Sequence, residues 1–402
     1  MQPITEPALS GPQAPLGRWI WRLTGLLTLA ALAALALVAV ARGGQPSPAY
    51  ADLTPAPART VTISQPVTDV HVQSNGAPIS VTQRAGHGPV RVTETLTYDT
   101  AGPRPAVTGT VTRGLLTLSA PACPGQYYGG GPACSVGFSV SVPDSVTVTA
   151  AAEGGPVTLS GTGAADIRSA GGPVFASGLS GPLNVTSEGG QVTVNQVAGS
   201  AVLDSGSGDV AASGIRGKLT ISSEGGQVTA SGTPAADIDS GGAPVTASSV
   251  SGPLSVRTDG GSVAVTGAGA TRIDSGSGPV SATAIRGPLT LATDGGDVQA
   301  QDVTGTLTAD TGGATFTGTG IRSAAAVVTS EGGGVTLGFA TAPESVRIST
   351  GGWNATLSVP GGPYKITADA ATGASSVSVP VSSRAHRSLN VSTDGGELQI
   401  SP

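Results

Sequence analysis

The feature that most restricts how this chain can fold is a repeat of about 35 residues. An acidic-Gly-Gly turn recurs with its carboxylate at Glu153, Glu188, Glu224, Asp259, Asp294 and Glu331, in steps of 35, 36, 35, 35 and 37 residues. Between these fall turns of the form Asp-Ser/Thr-Gly, beginning at Asp204, Asp239, Asp274 and Asp310, with Arg168-Ser169-Ala170-Gly171-Gly172 as a diverged first copy. Regular self-similarity of this size marks a stacked, repeated supersecondary unit.

The segments between turns are strands of four or five residues, such as Leu183-Asn184-Val185-Thr186-Ser187, which leaves no room for helices. Period-two alternation places Leu183, Val185 and Ser187 on one face and Asn184, Thr186 and Glu188 on the other. Leu219 and Ile221, Leu254 and Val256, and Leu289 and Leu291 repeat the inward row, which Ser187, Ser223, Thr258 and Thr293 close. The reading is an all-β, parallel β-solenoid (β-helix) with rungs of about 17–18 residues, two per repeat unit and about 4.8 Å apart. A single four-sided rung of 35 residues is the alternative. The Gly-Gly pairs are read as corners that need positive φ.

Composition agrees. Aromatic residues make up 3% of 402 residues and glycine accounts for 62, too few large side chains and too much glycine for one large globular core. A thin solenoid core needs only Val, Ala, Thr and Ser. Charged residues are 11%, the formal net charge is −6 and the basic residues are scattered, so no footprint for nucleic acid is present.

Residues Leu23 to Ala41 form an uncharged, mainly apolar run of 19, about 28 Å as a helix and close to a bilayer's hydrocarbon thickness. Arg18, Trp19, Trp21 and Arg22 at its edge favour an inside N-terminus. Residues 1–18 are therefore a cytoplasmic tail, 19–42 a transmembrane signal-anchor helix and 43–59 an extracytoplasmic linker. A cleaved signal peptide is the competing reading, and both export the bulk of the chain to the cell surface. Residues 60–145 read as an N-terminal β section with irregular strands, 146–340 as the regular repeats and 341–402 as irregular C-terminal rungs and a cap. Cys123 and Cys134 are the only cysteines, and an exported pair this close is expected to form a disulfide worth about 3 kcal/mol.

The cysteine pair, Ser135-Val136-Gly137-Phe138-Ser139-Val140-Ser141-Val142-Pro143, and the alternating Ser-Glu-Gly-Gly-x-Val and Asp-Ser-Gly-Ser-Gly turns together resemble a bacterial family of unknown function, candidate adhesins with β-strand repeats. The likeness covers about residues 60 to 402. It implies a parallel β-helix on a cell envelope, and two lysines against 17 arginines fit a high-GC, actinobacterial source. The resemblance brings no active site with it.

The acidic turns invite calcium, but each rung supplies one acid, and like acids two rungs apart stand about 9.6 Å from each other, too far to share an ion held at 2.3 to 2.6 Å. They read as solvated structural turns, with no metal and no cofactor. A glycan-processing β-helix would need two carboxylates, or a carboxylate with Arg or Lys, converging on one cleft, whereas these acids recur identically. No catalytic residue is assigned. Tyr127 and Tyr128, on the disulfide loop, are the candidate contact pair. Arg216, Arg286 and Arg322 form a sparse basic row, and Trp353 reads as part of a packed cap. The expected function is that of a non-enzymatic surface protein binding an envelope or cell-surface ligand. The alternative is an envelope scaffold that self-associates laterally or end to end.

Overall fold

The computed structural model describes residues 54–84, 86, 88–98, 104–105, 107–120, 134–143 and 146–402. Segment 19–42, Cys123, Tyr127 and Tyr128 lie outside them. Among the described residues every regular element is a strand, and none is a helix long and apolar enough to cross a membrane.

Each rung contributes one strand to each of two sheets. In the rung that begins at Leu183, Leu183–Ser187 belongs to the first sheet, Glu188-Gly189-Gly190 makes the turn, and Val192–Val197 belongs to the second. The next rung stacks in register and in parallel, with Leu183 beside Ala201 and Val192 beside Val210, so one rung spans 18 residues. This settles the rung at half the repeat. The first-sheet strands from Thr147–Ala152 to Ser345–Thr350 form about twelve successive turns of this kind.

The alternation read from the sequence sets the faces. Leu183, Val185, Leu219, Ile221, Leu254, Val256, Leu289 and Leu291 are all buried, as are Ile238 and Ile273 in alternate rungs. They meet Val192, Val194, Val210 and Ala212 of the second sheet in one continuous core. Each Val or Leu so buried stabilises by about 1.5 to 3 kcal/mol, so the stacked inward columns carry the fold.

Rung order departs from chain order at both ends. Asp69–Ser74 pairs with Thr147–Ala152 on one side and with the later Leu115–Ser119 on the other. Ile79–Gln83 likewise lies between Val157–Ser160 and Cys134–Val142. At the far end Ser388–Thr393 lies between Ser345–Thr350 and Lys365–Asp369, and Leu398–Ser401 lies between Ala355–Ser358 and Ser375–Val377. The late repeat copy is thus an interior rung, and the proline-bearing segment before it in sequence is the terminal one. Antiparallel strands, Val90–Tyr98 on the second sheet and Thr108–Thr112 on the first, extend the N-terminal end.

The Gly-Gly turns correct one expectation. Neither Gly189 nor Gly190 is among the residues with positive φ. A Cβ on Gly190 would lie 2.0 Å from the carbonyl oxygen of Gly172 in the rung before, so the backbone path of this turn leaves no room for a side chain, whereas Ala243, Ala314 and Trp353 take the same place in other rungs. Positive φ recurs instead at the other corner, at the ends of the second-sheet strands, at Gly178, Gln196, Gly214, Gly232, Ser249, Gly267, Ala284, Asp302 and Gly320, and in the Gly turns it appears at Gly76, Gly312, Gly352 and Gly395.

Candidate functional surfaces

At the edge where the first sheet turns into the second, the inward row ends in buried hydroxyls. Ser187, Ser205 and Ser223 donate to the carbonyl oxygens of Gly190, Gly208 and Gly226 at 3.0, 2.8 and 3.1 Å. Ser169, Ser240, Ser275, Thr311 and Ser330 repeat this contact. At Thr258 and Thr293 the hydroxyl instead accepts from the N–H three residues on, at 3.1 and 3.2 Å. A polar side chain is tolerated in this core because it closes its own turn.

The carboxylates stand just outside this ladder. Glu188, Glu224, Asp259, Asp294 and Glu331 follow the buried hydroxyl and Glu153 follows the buried Ala152 at the same place, while Asp204, Asp239, Asp274 and Asp310 precede the hydroxyl on the outer face of alternate rungs. All ten are exposed. Glycine takes the place after the hydroxyl on the alternate rungs, and a Cβ at Gly206, Gly241 or Gly276 would lie 2.3, 2.6 or 1.9 Å from the backbone carbonyl of Glu188, Glu224 or Asp259. At these three glycines the backbone of the rung before leaves no room for a side chain.

The acids line one edge singly and do not converge. Among the described residues no three of His, Cys, Asp and Glu gather closely enough to hold a metal ion. Of the ten acids, Asp274 alone takes part in an ion pair. Arg168 reaches Asp166 at 3.3 Å, Arg272 reaches Asp274 at 3.7 Å, Arg322 reaches Asp302 at 2.9 Å, and Lys218 pairs with Asp237. All are exposed, so each contributes at most about 1 kcal/mol.

One break in the ladder leaves a hollow. The rung with Arg168 carries Ala170 where its neighbours carry Glu153 and Glu188, and these residues with Gln73, Ser74 and Thr186 line a shallow depression of about 210 Å³. It places a cation between two carboxylates on an open surface and brings no nucleophile against a base.

The remaining candidates separate. Arg216 and Arg286 are exposed at the opposite edge, and only Arg322 of that row is paired. Trp353 does not pack into a cap: it stands in the close-packed glycine column and is 55% exposed, because a side chain there has no room to turn inward. The packed aromatic near that end is Tyr364, buried, with its hydroxyl donating to the Pro360 carbonyl at 2.7 Å. Burial pushes the Tyr364 phenol above its ordinary pKa, and the charge of Arg387 opposes this in part. Cys134 opens Cys134–Val142 and is buried. The surface missed in the sequence is the outer face of the second sheet, whose signal was an absence of charge in its strands from Val157–Ser160 to Leu398–Ser401.

The geometry defines a two-sheeted β-solenoid with a buried hydroxyl ladder and an acidic edge. No protein-family model matches the chain, and no curated protein is similar to it. Among solved structures, a candidate cell adhesion protein from Clostridium sporogenes aligns at 9% identity over 87% of this chain and 99% of its own, with a TM-score of 0.19. A candidate adhesin from Bacteroides fragilis aligns at 11% identity over 87% of this chain and 97% of its own, with a TM-score of 0.21. One from Parabacteroides merdae aligns at 12% identity over 76% and 95%, with a TM-score of 0.23. At these TM-scores the likeness carries no weight for fold or function.

Proposed function

We infer that this chain is a non-enzymatic surface protein, adhesin-like, anchored by residues 19–42 in the cell membrane with its solenoid outside and binding an envelope or cell-surface ligand through the first sheet. The observation that carries this reading is the in-register stack of rungs. It holds outward side chains in straight columns about 4.8 Å apart, a rigid display surface that costs little ordering entropy on binding. The Cys123–Cys134 disulfide belongs to the same reading, since an exported loop of this length gains from closure. The arginine bias supports an actinobacterial source.

The test is binding of the full chain, in detergent or displayed on cells, to whole cells and to a glycan array. Binding is expected, and it should weaken when the first-sheet residues Asn184, Val202 and Thr308 are replaced by lysine. Complete absence of binding refutes adhesion. Membrane fractionation tests the anchor, and intact mass before and after reduction tests the disulfide.

A further inference from the structure

The outer face of the second sheet is free of charge along its regular length. From Val157–Ser160 to Leu398–Ser401, thirteen adjoining strands contain no Asp, Glu, Lys, Arg or His. Over the same rungs the first sheet carries Asp204, Lys218, Arg257, Asp274 and Arg347, among others. Charges on the second-sheet side are confined to its margins. Asp209 and Asp297 stand just before their strands and accept the backbone N–H groups of Gln227 and Thr315 in the next rung at 2.9 and 3.1 Å. Asp302 and Arg322 pair at the opposite margin. A charge-free centre between charged rims is the anatomy of a protein interface.

Size and chemistry favour a second copy as the occupant. Thirteen strands at about 4.8 Å, each with about 13 Å of outward surface, present roughly 800 Å², the area a standard stable interface buries on each partner. The outward side chains are mostly Ser, Thr and Ala, short enough for a facing sheet to approach to about 10 Å. The chain's formal net charge is −6, so two copies repel at most approaches, and this face brings no like charges together. A sugar polymer would find little to stack on, because Phe175 is the one aromatic residue that these strands expose.

We propose that two copies of this chain pair face to face through the second sheet, with the two-fold axis near Val263–Thr266, the middle strand of the thirteen. This goes beyond the adhesion reading and can fail without it.

The experiment is sedimentation of the full chain in detergent over a range of concentrations. It compares the native protein with a Thr229→Lys, Thr246→Lys, Ser281→Lys variant and with an Asn184→Lys, Val202→Lys, Thr308→Lys control on the first sheet. All six positions are exposed, and circular dichroism checks that each variant keeps its β content. A native dimer is expected, weakened more than about a hundredfold by the second-sheet lysines and unchanged by the control set. A native chain that stays monomeric overturns the proposal, as does a dimer indifferent to the second-sheet lysines or equally disrupted by the control. So does a monomeric native chain that co-sediments with insoluble β-glucan unless the second-sheet lysines are present, which would make a neutral polymer the occupant. A native chain that stays monomeric yet still binds cells refutes this inference alone.

Discussion

Two adjacent glycines offer a sharp test of what the Gly-Gly turns do. A methyl carbon on Gly190 would lie 2.0 Å from the carbonyl oxygen and 2.5 Å from the carbonyl carbon of Gly172, whereas one on Gly189 would meet only the Ser207 hydroxyl at 3.5 Å. Neither residue has positive φ. Carbon and oxygen approach comfortably at about 3.3 Å, so Gly190→Ala, with the turn held on its present path and not on the one that admits Ala243 and Ala314, parts the two rungs by roughly 1.3 Å at this corner. The Val174 N–H bond to the Gln191 carbonyl, now 2.8 Å, would stretch to about 4 Å and be lost. The Ser187 contact to the Gly190 carbonyl, at 3.0 Å, would be disturbed with it. Two bonds at about 1 kcal/mol each, plus 1 to 3 kcal/mol of overpacking, put the cost of Gly190→Ala at about 3 to 5 kcal/mol. Gly189→Ala meets no obstacle and restricts the unfolded chain, so it is expected to be neutral or to stabilise by about 0.4 to 1 kcal/mol. Equilibrium urea unfolding gives both values, and amide exchange at Val174 and Val192 locates the damage. Equal effects at the two positions, or a Gly190→Ala variant as stable as the native chain, would refute the close-stacking account.

Ser205→Ala removes the 2.8 Å bond to the Gly208 carbonyl inside the core, and a loss of about 1 to 3 kcal/mol is expected in the same urea assay. Ala284 holds φ at 58° in the column where Gly214 and Gly232 stand, so Ala284→Gly should gain up to about 1 kcal/mol after the flexibility of glycine is offset, while Gly214→Ala should lose a similar amount. Because the folded Tyr364 phenol titrates above its ordinary pKa of 10.0, the unfolded chain loses this proton first as pH rises. Its contribution to stability is thus complete below pH 10 and is lost above it, and thermal melts of Tyr364→Phe should show a shallower alkaline decline than the native chain. Deleting residues 388–402 takes out an interior rung, so limited proteolysis should release residues 365–377 along with it. Survival of that segment as a protected unit would contradict the rung order.

The rung length, the two faces and the buried row could be read from the sequence because each depends on local alternation. Leu183, Val185 and Ser187 declare their side of the sheet through their neighbours. The reason for the glycines could not be read, since Gly190 answers to Gly172 in another rung, a contact that no dihedral preference encodes. The end rungs escaped for a related reason. Strand character is evident in Ser388–Thr393, but its insertion ahead of Lys365–Asp369 is a choice among parallel partners with the same valine-rich pattern. Trp353 was misplaced because its size suggested a core, while its position in the stacked column forces it outward.

The two-rung period and the unequal sheets follow from where a side chain can be added without cost. At the turn, a Cβ on Gly206 would strike the Glu188 backbone carbonyl of the rung before, and the alternation of acid and glycine, broken at Ala170, spaces like acids two rungs apart along a solvated edge. On the outer faces no such constraint operates, since outward positions such as Thr229 and Thr246 are open to solvent and could carry charge without strain. The first sheet uses that freedom, with Asp237, Arg257 and Arg272 on its strands. The second sheet declines it over thirteen strands. A flat, neutral β surface is an association hazard that exposed sheets ordinarily blunt with charge. Folding does not require its neutrality, so the cause must lie in what the face meets.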